Sequence, residues 1–246
     1  MDIKVLEIAE WSTPASIYHV AQVGSHRIAK HTFFPGFYPY HGMDGYTIFS
    51  VKKEIVTTTL LEQTPNRLHW REWMVDSPTD YRAMQKYAEV AYGKVLTAGL
   101  GLGLLVHELC KNPCVESITV VEKSSSIVDL IKNYLPDDSR IHIELGDIWS
   151  FIAFDNSLWD YIIMDIWVYY GLEQQLEMFK GEIIPANKRL KAKYPQANIV
   201  FHGFAGMPNL SELEEVARQG NETNPLVIDP LIYGLQEKET ILLEVK

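Results

Sequence analysis

The chain has 246 residues, of which 47% are hydrophobic and 22% are charged, and its formal net charge is −10. This length suits one α/β domain with an appendage, or two small domains. The acidic balance argues against a nucleic-acid backbone as the main partner, because proteins that bind nucleic acids usually present a basic patch. No apolar run approaches the ~20 residues that span a membrane, and the N-terminus lacks the pattern of a signal peptide. We therefore expect a cytoplasmic protein that binds neither nucleic acid nor a membrane.

Residues 1–75 are predicted to form a small β-rich domain. Aromatic and β-branched residues occur there in runs of strand length, with turn signals at Gly24-Ser25 and Pro65-Asn66 between them. The aromatic stretch 33–46 is rich in glycine and proline, and it is predicted to be a packed irregular connection. The expected strands cover residues 17–23, 46–51, 54–60 and 67–74.

Residues 76–246 are predicted to form an α/β domain with a parallel sheet and helices on both faces, because strand and helix patterns alternate. The first helix is expected over 76–91, with Ser77 as its cap and Pro78 in its first turn. An antiparallel hairpin is expected near the C-terminus, from residues 226–233 and 240–245. The other strands are predicted at 95–98, 117–121, 141–145, 159–164 and 197–201, and the other helices at 104–110, 126–134, 148–153, 173–190 and 211–218.

The stretch 94–127 has the layout of a nucleotide-binding βαβ unit. Gly99, Gly101 and Gly103 directly follow the first strand, and they permit a tight turn and a close approach of backbone to ligand. The amide groups at the start of the next helix favour a negatively charged group. Glu122 ends the second strand 19 residues after Gly103, close to the spacing of about 20 that is typical of a ribose-binding acid. The alternative is that the glycines form only a turn and Glu122 only solvates a strand end.

Acidic residues also follow two further predicted strands. Asp147 comes after the third core strand and Asp165 after the fourth. Because ligands of open α/β sheets bind at the carboxyl ends of the strands, we expect these acids to share one site with Glu122. Asp147 suits an adenine amino group, and Asp165 suits a sulfonium or ammonium group or serves as a base. No His or Cys pattern near Cys110 and Cys114 completes a zinc site, so no metal is predicted.

The motifs VLTAGLGLGLLVHELCKNPCVESITVVEKSSSI, HIELGDIWSFI and WDYIIMDIW resemble the class I S-adenosylmethionine-dependent methyltransferase superfamily, and within it the spermidine synthase-like branch, over about residues 92–167. The resemblance implies a Rossmann-like sheet, an N-terminal strand domain that supports a homodimer, and S-adenosylmethionine or decarboxylated S-adenosylmethionine as the cofactor. It places the glycine turn at the aminoacyl end of the cofactor, Glu122 at the ribose, Asp147 at the adenine and Asp165 at the catalytic aspartate, which also contacts the cofactor. The cofactor-binding set that it implies is Gly99, Leu100, Gly101, Gly103, Glu122, Lys123, Gly146, Asp147, Ile148 and Asp165.

Three further residues are predicted to bind a small-molecule substrate. Tyr81 and Gln85 share one side of the helix that leads into the first core strand, and Asp80-Tyr81 falls where the family has a tyrosine near the substrate. Trp167 follows Asp165 closely and could stack on a planar group or enclose a cation. The alternative for all three is a packing role.

The leading functional prediction is methyl transfer to an unidentified small molecule, with Asp165 as the catalytic residue. Polyamine synthases usually have an acidic residue inside the glycine turn, where this chain has Leu100 and Leu102, and a second aspartate soon after the strand-four aspartate. The first alternative is a spermidine synthase-like aminopropyltransferase. A non-catalytic nucleotide-binding protein and a nicotinamide-dependent oxidoreductase are further alternatives, although Leu104 breaks the G-x-G-x-x-G spacing of the latter.

Overall fold

The computed structural model describes residues 4–42, 45–66, 69–168, 174 and 177–204. The predicted helix at 211–218 and the predicted C-terminal hairpin lie outside the described residues. The strands are β1 (Lys4–Ile8), β2 (Ala21–Val23), β3 (His26–Phe33), β4 (Gly36–Gly42), β5 (Gly45–Val51), β6 (Ile55–Gln63), β7 (Trp70–Val75), β8 (Gly93–Ala98), β9 (Val115–Glu122), β10 (Ile141–Leu145), β11 (Tyr161–Met164) and β12 (Asn198–Phe201). The helices are α1 (Pro78–Val90), α2 (Leu104–Lys111), α3 (Ser125–Ile131), α4 (Ile148–Phe154) and α5 (Ile184–Lys193).

The predicted parallel sheet is confirmed. Five strands pair in the order β10-β9-β8-β11-β12, and every neighbouring pair is parallel. Side chains alternate between the two faces of each strand, so that Val95 and Ile163 join one apolar cluster while Leu96 and Ile162 join another. The first cluster includes residues of α1, α2 and α3, and the second includes residues of α4 and α5. The sheet is therefore covered by helices on both faces, which explains why its central strands are apolar along their whole length.

The N-terminal residues form two smaller sheets. One is antiparallel with the order β2-β3-β6-β7, and in the other β5 pairs with β1 in parallel and with β4 in antiparallel orientation. The prediction of an irregular connection at 33–46 is wrong, because β4 and β5 pair across this stretch. Its glycines and prolines suggested a loop, but β4 is an edge strand of its sheet. Proline has no N–H to donate to a neighbouring strand, so an edge strand tolerates Pro39 where an inner strand would not. The domain boundary at residue 75 stays a prediction.

Two predictions differ in detail from the structure. The first strand is predicted over 17–23, but Pro14–Ile17 form a short 3-10 helix capped by Thr13, and the strand covers only Ala21–Val23. The long helix predicted over 173–190 contains a π-helix, Phe179–Ile183, that runs directly into α5. Pro185 lacks a backbone N–H, so it cannot continue a regular α-helical hydrogen-bond pattern through this point, and the wider turns lie just before it.

A buried aspartate joins the N-terminal sheets to the start of α1. Asp76 is fully buried, and its carboxylate accepts hydrogen bonds from the Thr13 hydroxyl and, at 2.6 Å, from the Thr58 amide. Ser77 then caps α1 by accepting a hydrogen bond from the Asp80 amide. This arrangement fixes where α1 begins, and with it the position of Asp80 relative to the parallel sheet.

Candidate active site

The residues that follow four of the parallel strands form one row along the edge of the sheet. In each case the backbone amide of the residue after one strand donates a hydrogen bond to a carbonyl at or near the end of the adjacent strand. The donor and acceptor pairs are Gly146 N to Glu122 O at 2.8 Å, Gly99 N to Val121 O at 2.9 Å, Asp165 N to Ala98 O at 3.0 Å, and His202 N to Met164 O at 2.9 Å. Adjacent strands lie about 4.8 Å apart, so this row brings the predicted acids of separate strands to one edge.

The glycine turn has left-handed backbone at all three glycines, with φ of 91° at Gly99, 52° at Gly101 and 72° at Gly103. A Cβ atom on Gly99 would overlap the backbone carbonyl of Asp165, so only glycine lets the turn lie this close to the next strand end. Leu100 and Leu102 are both buried, which turns their side chains away from solvent. The turn therefore offers mainly backbone groups to a ligand, as expected for a nucleotide-binding loop.

Glu122 is held in place by two backbone amides. Its Oε2 accepts a hydrogen bond from the Leu100 amide at 2.8 Å, and its Oε1 accepts one from the Ser124 amide at 2.8 Å. The side chain is buried, with a relative exposure of 6%. Each carboxylate oxygen accepts up to two hydrogen bonds, so both retain capacity for a further donor such as a ribose hydroxyl.

Asp147 has two separate roles in the structure. Its Oδ1 caps α4 by accepting hydrogen bonds from the amides of Trp149 and Ser150, and its Oδ2 lies 3.5 Å from Nζ of Lys123. The hydrogen bond from Ser150 is the main reason that the pKa of the Asp147 carboxyl is lowered. The Ile148 side chain packs in the core, so a cofactor contact at that position would have to come from its backbone.

The space next to Gly146 is open. A Cβ atom added to this glycine would meet no heavy atom within 4 Å. Gly146 and Asp147 follow β10, which pairs with β9 so that Leu145 lies opposite Glu122. The residues predicted to contact the adenine and the ribose therefore come from the ends of adjacent strands, where ligands of open α/β sheets usually bind. Their roles in cofactor binding stay predictions.

Asp165 has a second carboxylate nearby that comes from α1. Burial raises the pKa of the Asp80 carboxyl, and the Asp165 charge raises it further, whereas a hydrogen bond from Ser77 and the His202 imidazole act in the opposite direction. Tyr87 belongs to the same group, because its ring meets that of His202 edge to face at 5.8 Å and its hydroxyl is hydrogen-bonded to the backbone of Gly203. Asp80, Tyr87 and His202 were not among the predicted site residues. His202 could have been predicted, since it directly follows the fifth predicted strand and ligands of open α/β sheets bind at the carboxyl ends of the strands.

The structure does not bring Tyr81 and Gln85 to Asp165. The Tyr81 hydroxyl donates a hydrogen bond to the Glu108 carboxylate on α2 at 2.5 Å, and the side chain of Gln85 is hydrogen-bonded to Tyr81. Positions four residues apart share one face of a helix, and this face of α1 packs on α2. The face that carries Asp80 and Tyr87 points to the strand ends instead.

Trp167 packs beneath the helix that follows it. Its ring lies 5.7 Å from that of Phe201, and its indole Nε1 donates a hydrogen bond to Glu182. Because its polar atom is already paired, a substrate would meet the ring rather than the N–H. Its role in substrate binding stays a prediction.

The N-terminal region also contacts the glycine turn and the residues after β9. The Tyr18 hydroxyl donates a hydrogen bond to the Leu102 carbonyl at 2.9 Å, and the Leu102 amide donates to Sδ of Met74 at 3.3 Å. Close to Glu122, Nδ1 of His26 lies 3.3 Å from the Ser124 hydroxyl. These contacts were not predicted, because they join residues that are far apart in the chain.

Within the described ranges, no group of three or more His, Cys, Asp or Glu side chains is placed to hold a metal ion. No helix among the described residues is long and apolar enough to cross a membrane. The expected homodimer and cytoplasmic location stay predictions.

The family model and the curated relatives that match this chain are of the polyamine synthase type. Residues 82–196 match the family model of the spermine/spermidine synthase domain. The polyamine aminopropyltransferase of Bacillus mycoides is 34% identical over 77 residues, which cover 29% of this chain and 28% of that protein. The polyamine aminopropyltransferase of Pseudomonas syringae pv. tomato is 35% identical over 85 residues, covering 32% and 30%. The crystal structure of spermidine synthase from Thermotoga maritima is 16% identical with a TM-score of 0.33, covering 54% of this chain and 55% of that one.

The family match corrects the leading functional prediction. Methyl transfer to a small molecule is contradicted, because both curated relatives are polyamine aminopropyltransferases and the matched model is that of the spermine/spermidine synthase domain. The matches span less than a third of the length of these curated relatives. Over residues 82–196, the predicted resemblance to the spermidine synthase family is confirmed.

Proposed function

We propose that this protein transfers an aminopropyl group from decarboxylated S-adenosylmethionine to a small amine. The observation that carries the proposal is the Asp80 carboxylate on α1, whose pKa is raised mainly by burial and further by the nearby Asp165 charge at the sheet edge. Polyamines are flexible cations, and carboxylates are the side chains that bind ammonium groups strongly. The family match at residues 82–196 supports the same chemistry.

The Asp80 carboxylate could replace the second aspartate that polyamine synthases usually have after the strand-four aspartate and that this chain lacks. In this chain Ile166, Trp167 and Val168 follow Asp165, so the loop supplies no second aspartate. Asp80 supplies a carboxylate from α1 instead, close enough for its pKa to respond to the Asp165 charge. A site for a cationic amine can therefore be built from two distant parts of the chain.

The other end of the row suits the nucleoside part of the donor. Glu122 would accept hydrogen bonds from the ribose hydroxyls, and Asp147 would accept one from the adenine amino group. The backbone of the glycine turn would lie against the chain that carries the sulfonium. In this arrangement the reacting carbon would lie near Gly99 and Asp165.

The reaction would be an in-line displacement. The amine nitrogen forms a bond to the carbon attached to the sulfonium, and the carbon–sulfur bond breaks with its electron pair remaining on sulfur. The main task of the protein is then to align the two reactants and to exclude water. Asp165 would orient the amine through a charge-assisted hydrogen bond.

The test is a transfer assay with the purified chain, decarboxylated S-adenosylmethionine and 1,4-diaminobutane or spermidine. We expect methylthioadenosine and the aminopropylated amine in equal amounts by mass spectrometry. Asp165→Asn should lower kcat/KM about 100-fold or more, whereas Asp137→Asn in an exposed turn should have no effect. Binding of the nucleoside without transfer to either amine or to 1,3-diaminopropane would refute the proposal.

A further inference from the structure

His202 has a buried ring nitrogen that the fold leaves unused. Its Nδ1 is buried and has no hydrogen-bond partner within the described ranges. A buried polar atom without a partner costs about 1–3 kcal/mol, so such atoms are uncommon in folded proteins. Where one occurs at a ligand-binding edge, a ligand is a natural partner.

The position of His202 is set by the parallel sheet. Its amide donates to the Met164 carbonyl at 2.9 Å, which places it beside Asp165 in the row of strand ends. The Tyr87 ring lies edge to face against the imidazole and limits its orientation. The titratable groups that face it from the described elements are Asp80 and Tyr87 on α1 and Asp165 after β11.

Two carboxylates that can bind a cation, Asp80 and Asp165, lie near the imidazole of His202. Asp80 and Asp165 attract an ammonium group, but an ammonium nitrogen has no lone pair with which to attack carbon. Alkylamines are mostly protonated at neutral pH, since the amine of lysine has a pKa of about 10.4. An imidazole accepts protons in the range between about pH 5 and 8, where it is the commonest general base in proteins.

We propose that His202 removes one proton from the ammonium group of the acceptor amine before that nitrogen attacks. This inference rests on the proposed function. The proton moves from nitrogen to the imidazole and leaves a lone pair on a neutral amine. The lone pair forms the new carbon–nitrogen bond, the carbon–sulfur bond breaks, and the electron pair stays on a neutral thioether. The product nitrogen is then cationic, and the imidazolium returns its proton to water.

The first test is the pH dependence of kcat/KM in His202→Gln, with His142→Gln, exposed on β10, as the matched control. We expect His202→Gln to lose about 10²–10⁴-fold at neutral pH, to lose the acid limb of the wild-type profile and to recover activity when imidazole is added. The KM for the nucleoside should stay constant. A His202→Gln protein that keeps wild-type turnover and the wild-type acid limb would overturn the inference while leaving the proposed function intact.

The second test does not depend on turnover. In protein labelled at the histidine rings, the NMR resonances of His202 should shift saturably when 1,4-diaminobutane is added. The Kd for the amine from this titration should rise at least about 10-fold in Asp80→Asn. If the wild type shows no transfer but this shift occurs, the proposed function fails and the amine site beside His202 is supported. If the His202 resonances do not respond to the amine, the inference is overturned even where transfer is observed.

Discussion

The carboxylate of Glu122 accepts a hydrogen bond from the Leu100 amide at 2.8 Å, which ties the end of β9 to the middle of the glycine turn. The other carboxylate oxygen accepts from the Ser124 amide at 2.8 Å. One side chain therefore fixes the turn, the start of α3 and the predicted ribose site. The predicted ribose contacts would use the same carboxylate oxygens that hold the turn.

Glu122→Gln should weaken both stability and nucleoside binding. A glutamine amide group has only one acceptor oxygen, so one of the two backbone donors would face an N–H group and remain unpaired. We expect a loss of about 1–3 kcal/mol in the free energy of unfolding, and a Kd for the nucleoside that rises about 10-fold or more. Urea denaturation and calorimetric titration measure the two effects. Glu116→Gln, exposed on the same strand, is the control and should change neither quantity.

Gly99→Ala should disrupt the glycine turn. The backbone at Gly99 has a φ of 91°, and a Cβ atom there would overlap the Asp165 carbonyl. We expect a loss of about 1–3 kcal/mol in stability and weaker nucleoside binding, since the turn must move away from the next strand. Gly181→Ala is the matched control, because its Cβ would meet nothing within 4 Å. An alanine at 99 that binds the nucleoside as tightly as glycine would show that the turn does not approach the ligand closely.

Asp80→Asn should separate stability from function. Burial raises the folded-state pKa of Asp80, so the charged form is disfavoured by folding. This group therefore favours folding most below its unfolded pKa of about 3.9 and progressively less as pH rises through the folded pKa. We expect the variant to be more stable than the wild type at pH 7 and equal to it near pH 3, while its affinity for the amine falls about 10-fold or more.

Thermal unfolding at the two pH values measures the stability effect of Asp80→Asn. Asp137→Asn, in an exposed turn, should follow the wild type at both. If Asp80→Asn were less stable than the wild type at pH 7, then its hydrogen bond with Ser77 would outweigh the cost of its burial.

His26→Asn should change how stability depends on pH. Burial lowers the pKa of the His26 imidazole, which is only partly offset by the nearby charges of Glu62 and Glu122. The unfolded chain therefore binds a proton more readily, and stability should fall as pH drops from 7 to 5. Removing the imidazole should make this fall smaller without abolishing it, because burial lowers the pKa of His107 in the same direction.

Denaturant midpoints at pH 7, 6 and 5 check the prediction for His26. Asparagine keeps a polar group near the Ser124 hydroxyl, 3.3 Å from Nδ1 in the wild type, so that local packing is disturbed little. His142→Asn, exposed on β10, serves as the control. Parallel pH curves for His26→Asn and the wild type would refute the role of His26.

The parallel sheet and the acidic residues at its edge were predictable from the sequence because both depend on local patterns. Apolar runs of strand length marked β8, β9, β10, β11 and β12, and the acids Glu122, Asp147 and Asp165 lie at the end of three of them or within two residues after it. Strands of one parallel sheet end on one side, so residues that follow different strands must be neighbours. The stretch 33–46 was mistaken for a loop because glycine and proline content does not reveal whether a strand lies at the edge of a sheet.

By itself the sequence determined the chain order of strands and helices, the glycine turn and the acids at three strand ends, since each of these is written in consecutive residues. Only the tertiary structure decided which side chains complete the site. Asp80 lies near Asp165 on α1, whose start is fixed by the buried Asp76. Tyr81 lies on another face of α1, which packs on α2, and its hydroxyl donates a hydrogen bond to Glu108 there. His202 joins them through the pairing of β12 with β11. Contacts of this kind depend on the direction in which a helix face points after packing, and that direction is set by residues far away in the chain.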